Sequence, residues 1–108
     1  MTYEPKERQI LDQVVAALHG HYGGRLSKVV LFGSRARRDH ALDSDYDMLV
    51  VLKGEINRPA ERKALHELIF PIDYEHDTVV FCLAMEEERY GRENSPLLMN
   101  VRKEGVPL

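Results

Sequence analysis

Two short groups of polar residues in the first half of the chain have the types and spacing needed for phosphate chemistry. Gly33 and Ser34, the Gly-Ser turn, follow an apolar run from Lys28 to Phe32 whose β-branched and aromatic residues predict a short buried strand. Glycine lets a backbone approach a ligand closely, and Ser34 can cap a following short helix, so N–H groups and a hydroxyl would converge on one point. The Gly-Ser turn therefore predicts a binding site for a phosphate group.

The second group is a pair of aspartates that predicts a divalent cation. Asp45 and Asp47, the aspartate pair, open the run DYDMLVVLK, and because side chains alternate along a strand, both carboxylates project from one face. Two ionised carboxylates held this close repel each other, and a hard cation with oxygen ligands relieves the repulsion, which makes Mg²⁺ the expected metal. With a nucleoside triphosphate on Gly33 and Ser34, such a metal would bridge phosphate oxygens and activate an attacking hydroxyl. The four residues together predict nucleotidyl transfer.

The spacing of these residues resembles the signature of the DNA polymerase beta nucleotidyltransferase superfamily. Gly33 and Ser34, ten intervening residues, and then Asp45 and Asp47 match that signature in full. Because the chain has 108 residues, it is more closely similar to the minimal nucleotidyltransferases, the small partners of HEPN-domain proteins in prokaryotic toxin–antitoxin pairs. The likeness covers roughly Val29 to Leu83. It implies that the Gly-Ser turn holds the triphosphate of ATP, that the aspartate pair holds Mg²⁺, and that a third acid lies on a later strand.

The third acid is expected at the start of a third strand, which we place from Asp77 to Leu83. Asp77 is the first choice as catalytic residue and metal ligand, because it opens this strand as Asp45 opens the second one. Asp73 and Glu75 have the same parity if the strand begins earlier, so the assignment stays open among the three. If none of them is a ligand, the chain departs from the family's full triad, which would call catalysis, but not metal–nucleotide binding, into question.

Three arginines lie close to the Gly-Ser turn, where guanidinium groups could neutralise a triphosphate or pyrophosphate. They are Arg35, Arg37 and Arg38, and the alternative is that they form an ordinary charged loop. Arg35 is assigned to nucleotide binding because it directly follows Ser34.

Hydrophobic periodicity predicts alternating helices and strands around these residues. A helix between two strands is a crossover connection, so the strands would form a small mixed β-sheet with helices packed against it, an α/β (α+β) arrangement. This agrees with the nucleotidyltransferase fold that the resemblance implies, as a single domain over residues 1–108. The expected elements are a helix from about Pro5 to Leu18, strands from Lys28 to Phe32 and from Asp45 to Lys53, a helix through about Phe70 that Pro71 stops, a strand from Asp77 to Leu83, a short helix from Met85 to Tyr90, and a last helix from Ser95 to Lys103.

Composition indicates one soluble domain. Hydrophobic residues make up 44% of the chain and charged residues 31%, which suits a single core with a polar surface. A net charge of −3 disfavours nucleic acid as a partner, because phosphate backbones are bound by surplus Lys and Arg. No apolar run approaches the length of a membrane span and the N-terminus lacks a signal peptide's apolar core, so we expect no membrane contact and a cytoplasmic protein. The single cysteine, Cys82, is expected to be a buried small hydrophobe rather than a nucleophile.

Three functions remain open at this point. The first is transfer of AMP from ATP to a hydroxyl group of another protein, for which the resemblance supplies the adenylyl group, a HEPN-domain toxin as acceptor, and the antitoxin role. The second is a non-catalytic antitoxin that neutralises its HEPN partner by binding, which an incomplete acid triad would favour. The third is a small-molecule nucleotidyltransferase of the antibiotic-modifying kind, although such relatives carry a further helical domain. Leu97, Leu98 and Val101 of the last helix would either complete the core or dock the partner.

Overall fold

A four-stranded mixed sheet forms the centre of the molecule in the computed structural model, which describes residues 3–108. One turn of 3-10 helix, Gly23–Arg25, connects the first helix to the sheet. Among these residues, no helix combines the length and the apolar character that crossing a membrane requires. The elements in chain order are α1 (Pro5–Tyr22), β1 (Leu26–Phe32), α2 (Ser34–Arg37), β2 (Tyr46–Leu52), α3 (Arg58–His76), β3 (Val80–Glu86), α4 (Glu87–Arg92), α5 (Pro96–Glu104) and β4 (Val106–Pro107).

The strand order in the sheet is β3-β2-β1-β4. Strands β1 and β2 form an antiparallel pair in which Phe32 lies opposite Asp47. Strands β2 and β3 are parallel, because α3 crosses over between them, and in this pair Asp47 lies beside Phe81. The short β4 is antiparallel to β1. The predicted mixed sheet with packed helices is confirmed.

Different helices cover the two faces of the sheet. On one face, α1 and α3 pack over alternate residues of the central strands, and on the other face α5 packs over the residues in between. Strand β2 is therefore buried on both sides, which accounts for its nearly continuous apolar run. Tyr46 faces the layer of α1 and α3, whereas Leu49 faces α5. By the same alternation, Asp45 and Asp47 project on the α5 face.

Helix α3 is longer than the sequence predicted, and the third strand therefore begins later in the chain than predicted. The prediction that Pro71 stops this helix is wrong, because α3 continues through Pro71 to His76. A proline inside a helix removes one backbone hydrogen bond, but the neighbouring Ile72 is buried in the core and its packing keeps the last turns helical. Asp77 follows as the C-cap with a left-handed backbone, φ 50°, and β3 begins at Val80. The predicted strand start at Asp77 is therefore wrong.

The C-terminal segment covers the α5 face of the sheet. Leu98 and Val101 of α5 are fully buried, so the last helix completes the core with these two side chains. Gly105 connects α5 to β4 at a point where a Cβ would clash with the Val101 carbonyl oxygen and lie 2.6 Å from Val30 Cγ1, which leaves room for glycine alone. The turn after α5 is consequently held tightly against β1.

Cys82 lies on β3 and packs against the core on the α3 side. Burial raises the pKa of its thiol to about 12, so the thiol stays protonated and is a poor nucleophile. Cys82 is only partly buried, and its inertness as a nucleophile stays a prediction that the raised pKa supports.

Candidate functional site

The Gly-Ser turn and the aspartate pair lie side by side at one end of the sheet. Phe32, the last residue of β1, pairs with Asp47 on β2, and Gly33 follows directly. A Cβ at position 33 would lie 2.5 Å from Asp47 Oδ2, and Gly33 also has a positive φ of 75°. Only glycine therefore leaves space over the Asp47 carboxylate at this position.

The aspartate pair carries negative charge that the chain does not neutralise. Within residues 3–108, no basic side chain forms an ion pair with Asp45 or Asp47. Burial raises the pKa of Asp47, the charge of Asp45 raises it further, and Arg37 partly offsets both effects. A cation bound here would relieve the repulsion between the two carboxylates. Two carboxylates beside an open glycine cradle fit Mg²⁺, which is often held by one or two carboxylates together with substrate phosphates.

Arg35 does not lie where a nucleotide could reach it, contrary to the sequence assignment. Its guanidinium donates to Glu7 Oε2 at 3.0 Å, to the Leu42 carbonyl at 3.1 Å, and to the Ser44 carbonyl at 2.9 and 3.1 Å. It also stacks 4.1 Å from the centroid of the Tyr46 ring, and the residue is 5% exposed. The first turn of α2 directs this side chain under the loop between β1 and β2. Arg35 therefore holds that loop in place and has no exposed donors for a phosphate.

The carboxylate of Glu7, in α1, holds the same loop in place, and sequence reasoning did not identify Glu7. Its carboxylate accepts hydrogen bonds from Arg35 and from both terminal nitrogens of Arg38, and His40 Nε2 lies 3.4 Å away. Burial alone would raise the pKa of Glu7, but the hydrogen bonds from Arg38 and Arg35 outweigh it and lower the pKa to about 2. An acid in the first turn of a helix is common, so nothing in the local pattern marks Glu7 as the partner of a distant loop.

Arg37 is the arginine of this group that faces the aspartate pair. Its side chain is 44% exposed, and it is the basic group that lowers the pKa of Asp47. Its Nε donates to Asp39 Oδ2 at 3.1 Å and its Nη1 to Glu104 Oε1 at 3.1 Å. The same Glu104 oxygen accepts the Gly33 N–H at 3.3 Å. Sequence reasoning missed Glu104, which lies on the last helix.

The structure places all three candidates for the third acid outside the strands, and one of them, Asp73, lies near enough to the pair that burial and, to a smaller extent, the charge of Asp45 raise its pKa. Asp77 lines a small cavity with Tyr46, on the opposite face of β2 from Asp47. Asp73 lies in α3, where its Oδ1 accepts the Val80 N–H at 2.9 Å, and Glu75 is an exposed residue of the same helix. The premise that these residues share a strand face with the pair is wrong. In the described range, 3–108, no three Asp, Glu, His or Cys side chains gather as metal ligands.

A sequence model of the nucleotidyltransferase domain family matches residues 11–104. The chain belongs to this family. A protein of Methanocaldococcus jannaschii named "Putative protein adenylyltransferase MJ0604" is 30% identical over 100 residues, which cover 92% of this chain and 94% of the relative. Another from the same organism, "Putative protein adenylyltransferase MJ1305", is 31% identical over 94 residues, covering 86% of this chain and 54% of the longer relative. The predicted family is thus confirmed, and the chain is a nucleotidyltransferase enzyme.

Solved structures share the fold of this nucleotidyltransferase. A toxin–antitoxin complex with AMP-PNP superposes with a TM-score of 0.62 at 20% identity, over 89% of this chain and 70% of that one. The tri-AMPylated Shewanella oneidensis HEPN toxin in complex with its MNT antitoxin gives 0.56 at 19% identity, over 94% and 70%. A protein described as a "putative minimal nucleotidyltransferase" gives 0.60 at 22% identity over the whole of both chains. At these identities the similarity establishes the fold.

In this nucleotidyltransferase, apolar residues take the strand positions next to the aspartate pair. The parallel register places Phe81 beside Asp47, and the Val79 carbonyl accepts the Tyr46 N–H at 2.9 Å, so Val79 lies next to the start of β2. Both apolar side chains are about half exposed, 53% for Phe81 and 52% for Val79. The β3 residue directly beside Asp47 is therefore a phenylalanine and not an acid.

Proposed function

We propose that this nucleotidyltransferase transfers AMP from ATP, with Mg²⁺, to a hydroxyl group of a HEPN-domain protein, and that it acts as the antitoxin of that partner. The observation that carries the proposal is the contact between the Gly-Ser turn and the Asp47 carboxylate, where a Cβ on Gly33 would lie 2.5 Å from Oδ2. Two kinds of relatives support the acceptor class. The similar sequences are named as putative protein adenylyltransferases. One solved structure that contains a chain of the same fold is a complex of a tri-AMPylated HEPN toxin with an MNT antitoxin.

Each side chain at the site has a role in this proposal. Asp45 and Asp47 would hold Mg²⁺, which when bound neutralises phosphate charge and acts as a Lewis acid. Gly33 lets the phosphates approach the backbone, and the Ser34 hydroxyl donates to them. Arg37, half exposed and facing the pair, would neutralise charge on the pyrophosphate that leaves. Arg35 holds the loop and takes no part in binding the nucleotide.

The apolar surface beside the aspartate pair favours a phenolic acceptor. Transfer forms a bond between the acceptor oxygen and the α-phosphorus, breaks the bond to pyrophosphate, and releases the acceptor proton to solvent. A tyrosine hydroxyl has a pKa of about 10, far below that of a serine or threonine hydroxyl, so it depends least on a carboxylate base. The exposed ring of Phe81 also offers an aromatic surface on which a tyrosine ring can pack. These two features support a tyrosine of the partner as the acceptor.

One observation favours a second function, that of an antitoxin which binds its partner without transferring AMP. The strand position next to Asp47 carries Phe81 instead of an acid, so the chain departs from the three-carboxylate pattern that the family resemblance implies. In this alternative the protein would still bind Mg²⁺ and ATP through the aspartate pair. Its effect on the toxin would come from the complex alone.

A single experiment separates the two functions. The protein is co-expressed with the HEPN protein encoded beside it, and the purified complex is incubated with Mg²⁺ and labelled ATP, GTP, CTP or UTP. The proposal expects AMP on a tyrosine of the partner, located by mass spectrometry, and no label when Asp45 and Asp47 are both changed to Asn. A stable complex that carries no label would support the binding-only antitoxin. Label on an added small molecule but not on the partner would overturn both.

A further inference from the structure

A carboxylate of the chain itself occupies donors that the triphosphate would need. Glu104, at the end of α5, accepts the Gly33 N–H at 3.3 Å and Arg37 Nη1 at 3.1 Å, both through Oε1. Gly33 belongs to the Gly-Ser turn, and Arg37 is the exposed arginine that faces the aspartate pair. The inference below rests on the proposed function, because it concerns groups assigned there to the phosphates.

The packing around Glu104 determines where its side chain lies. Val101, one turn earlier in α5, is buried, and the Gly105 N–H donates to the Val101 carbonyl at 2.7 Å. Gly105 fits so closely against the Val101 carbonyl and Val30 that only glycine is accommodated, and β4 then pairs with β1, the strand that leads into Gly33. The Glu104 side chain is 19% exposed. The contact with the Gly-Ser turn is thus built into the way the C-terminal segment closes on β1.

Carboxylates and phosphates are both oxyanions and are bound by the same donors. A guanidinium group that donates to a carboxylate forms a charge-assisted hydrogen bond, which a phosphate must replace with an equally strong one. Glu104 also adds a negative charge to a site that already contains Asp45 and Asp47. A triphosphate that enters while Glu104 is in place would find one side of Arg37 engaged and would meet an additional anion.

We propose that Glu104 is an internal competitor of the triphosphate that lowers the affinity of the site for nucleotide. In the free enzyme, its carboxylate holds the Gly33 N–H and Arg37, and it gives up both donors when the phosphates bind. After transfer, its return to the same donors favours release of pyrophosphate. Glu104 thus determines nucleotide affinity without touching the reacting atoms.

The test compares nucleotide binding by the whole protein and two isosteric variants. Isothermal titration calorimetry measures the Kd of Mg-ATP and of inorganic tripolyphosphate for the wild type, Glu104→Gln and the control Glu88→Gln. Glu88 is an exposed acid of α4 that pairs with Arg92 at 2.9 Å, so the control removes the same charge at a site remote from the turn. We expect Glu104→Gln to bind both ligands roughly three to ten times more tightly, and Glu88→Gln to bind like the wild type.

A gain in affinity cannot result from damage to the fold, so the sign of the effect decides the proposal. The role of Glu104 would be overturned if Glu104→Gln bound nucleotide no more tightly than the wild type. If binding by the wild type still required Asp45 and Asp47, the proposed function would stand. If neither ligand binds to the wild type or to Glu104→Gln, both proposals fail together. NMR adds a readout without ligand: the Gly33 amide should exchange with solvent faster in Glu104→Gln than in the wild type, and an unchanged exchange rate would also count against the proposal.

Discussion

Asp47 on β2 and Phe81 on β3 are register partners on the same face of the sheet. The pairing puts a half-exposed aromatic ring next to a carboxylate whose pKa is raised by burial and by its neighbour Asp45. This relationship has two consequences. In the proposed function, the metal would be held by two carboxylates, and the surface offered to the acceptor would be apolar.

The metal prediction concerns the aspartate pair and uses Asp77 as its comparison. Asp45→Asn or Asp47→Asn keeps the shape of the side chain and removes its charge, so Mg²⁺-dependent binding of ATP should fall by about tenfold or more, while the fold survives. Asp77→Asn should bind like the wild type, because Asp77 lies on the other face of β2. Calorimetry with Mg²⁺ and with EDTA measures the difference. Loss of metal-dependent binding in Asp77→Asn would return Asp77 to the site as the third acid.

The glycine prediction concerns Gly33, where two constraints act together. Gly33→Ala would bring a Cβ within 2.5 Å of Asp47 Oδ2 and would force a left-handed backbone, φ 75°, on an alanine. With ψ at −160° this backbone is one that essentially only glycine adopts, so alanine should cost about 1–3 kcal/mol of unfolding free energy, and displacement of Asp47 should abolish Mg-ATP binding. Gly24→Ala is the matched control, since a Cβ there meets nothing within 4 Å. Urea unfolding and calorimetry would contradict the prediction if both variants behaved alike.

The pH prediction concerns Glu7, whose pKa is lowered to about 2 by Arg38 and Arg35 against the effect of burial. A carboxylate with a lowered pKa stabilises the folded state fully above its unfolded pKa of about 4.5, and this contribution is lost as the pH falls toward 2. Glu7→Gln should lose about 3 kcal/mol of unfolding free energy at pH 7, because Arg35 is left buried without its partner.

The measurement is the difference in unfolding free energy between the wild type and Glu7→Gln at several pH values. The difference should shrink as the pH falls from about 4.5 toward 2. Glu67→Gln, at an exposed position of α3, controls for the general effect of one carboxylate. A difference that stays constant down to pH 2.5 would mean that the ion pairs of Glu7 do not stabilise the fold.

The acceptor prediction concerns Phe81 and has a matched control in Phe70, which is equally exposed on α3 at 54%. Phe81→Ala should lower kcat/KM for the partner protein by about two- to tenfold through the loss of an aromatic contact, and should leave the Kd of Mg-ATP unchanged. Phe70→Ala should leave both values unchanged. Single-turnover transfer assays would refute the role of Phe81 if the two variants lost activity equally.

The sequence by itself determined the local part of the site. Gly33, Ser34, Asp45 and Asp47 lie at the adjoining ends of two paired antiparallel strands, so the pairing of β1 with β2 and the alternation of strand side chains bring them to one end of the sheet. The same local rules predicted the helices and the mixed sheet. They failed at Pro71, because the burial of Ile72 outweighs the preference of proline to end a helix.

Only the tertiary structure decided which charged and apolar side chains complete the site. Arg35 pairs with Glu7, 28 positions away, and the Gly33 N–H with Glu104, 71 positions away, so neither pairing has a local signature. Phe81 lies beside Asp47 because the length of the crossover helix α3 sets the register of β3 on β2. The face of a strand on which a side chain lies follows from the local backbone, so it can be read from the sequence. Contacts between residues far apart in the chain depend on how all the helices and strands pack together, so they cannot.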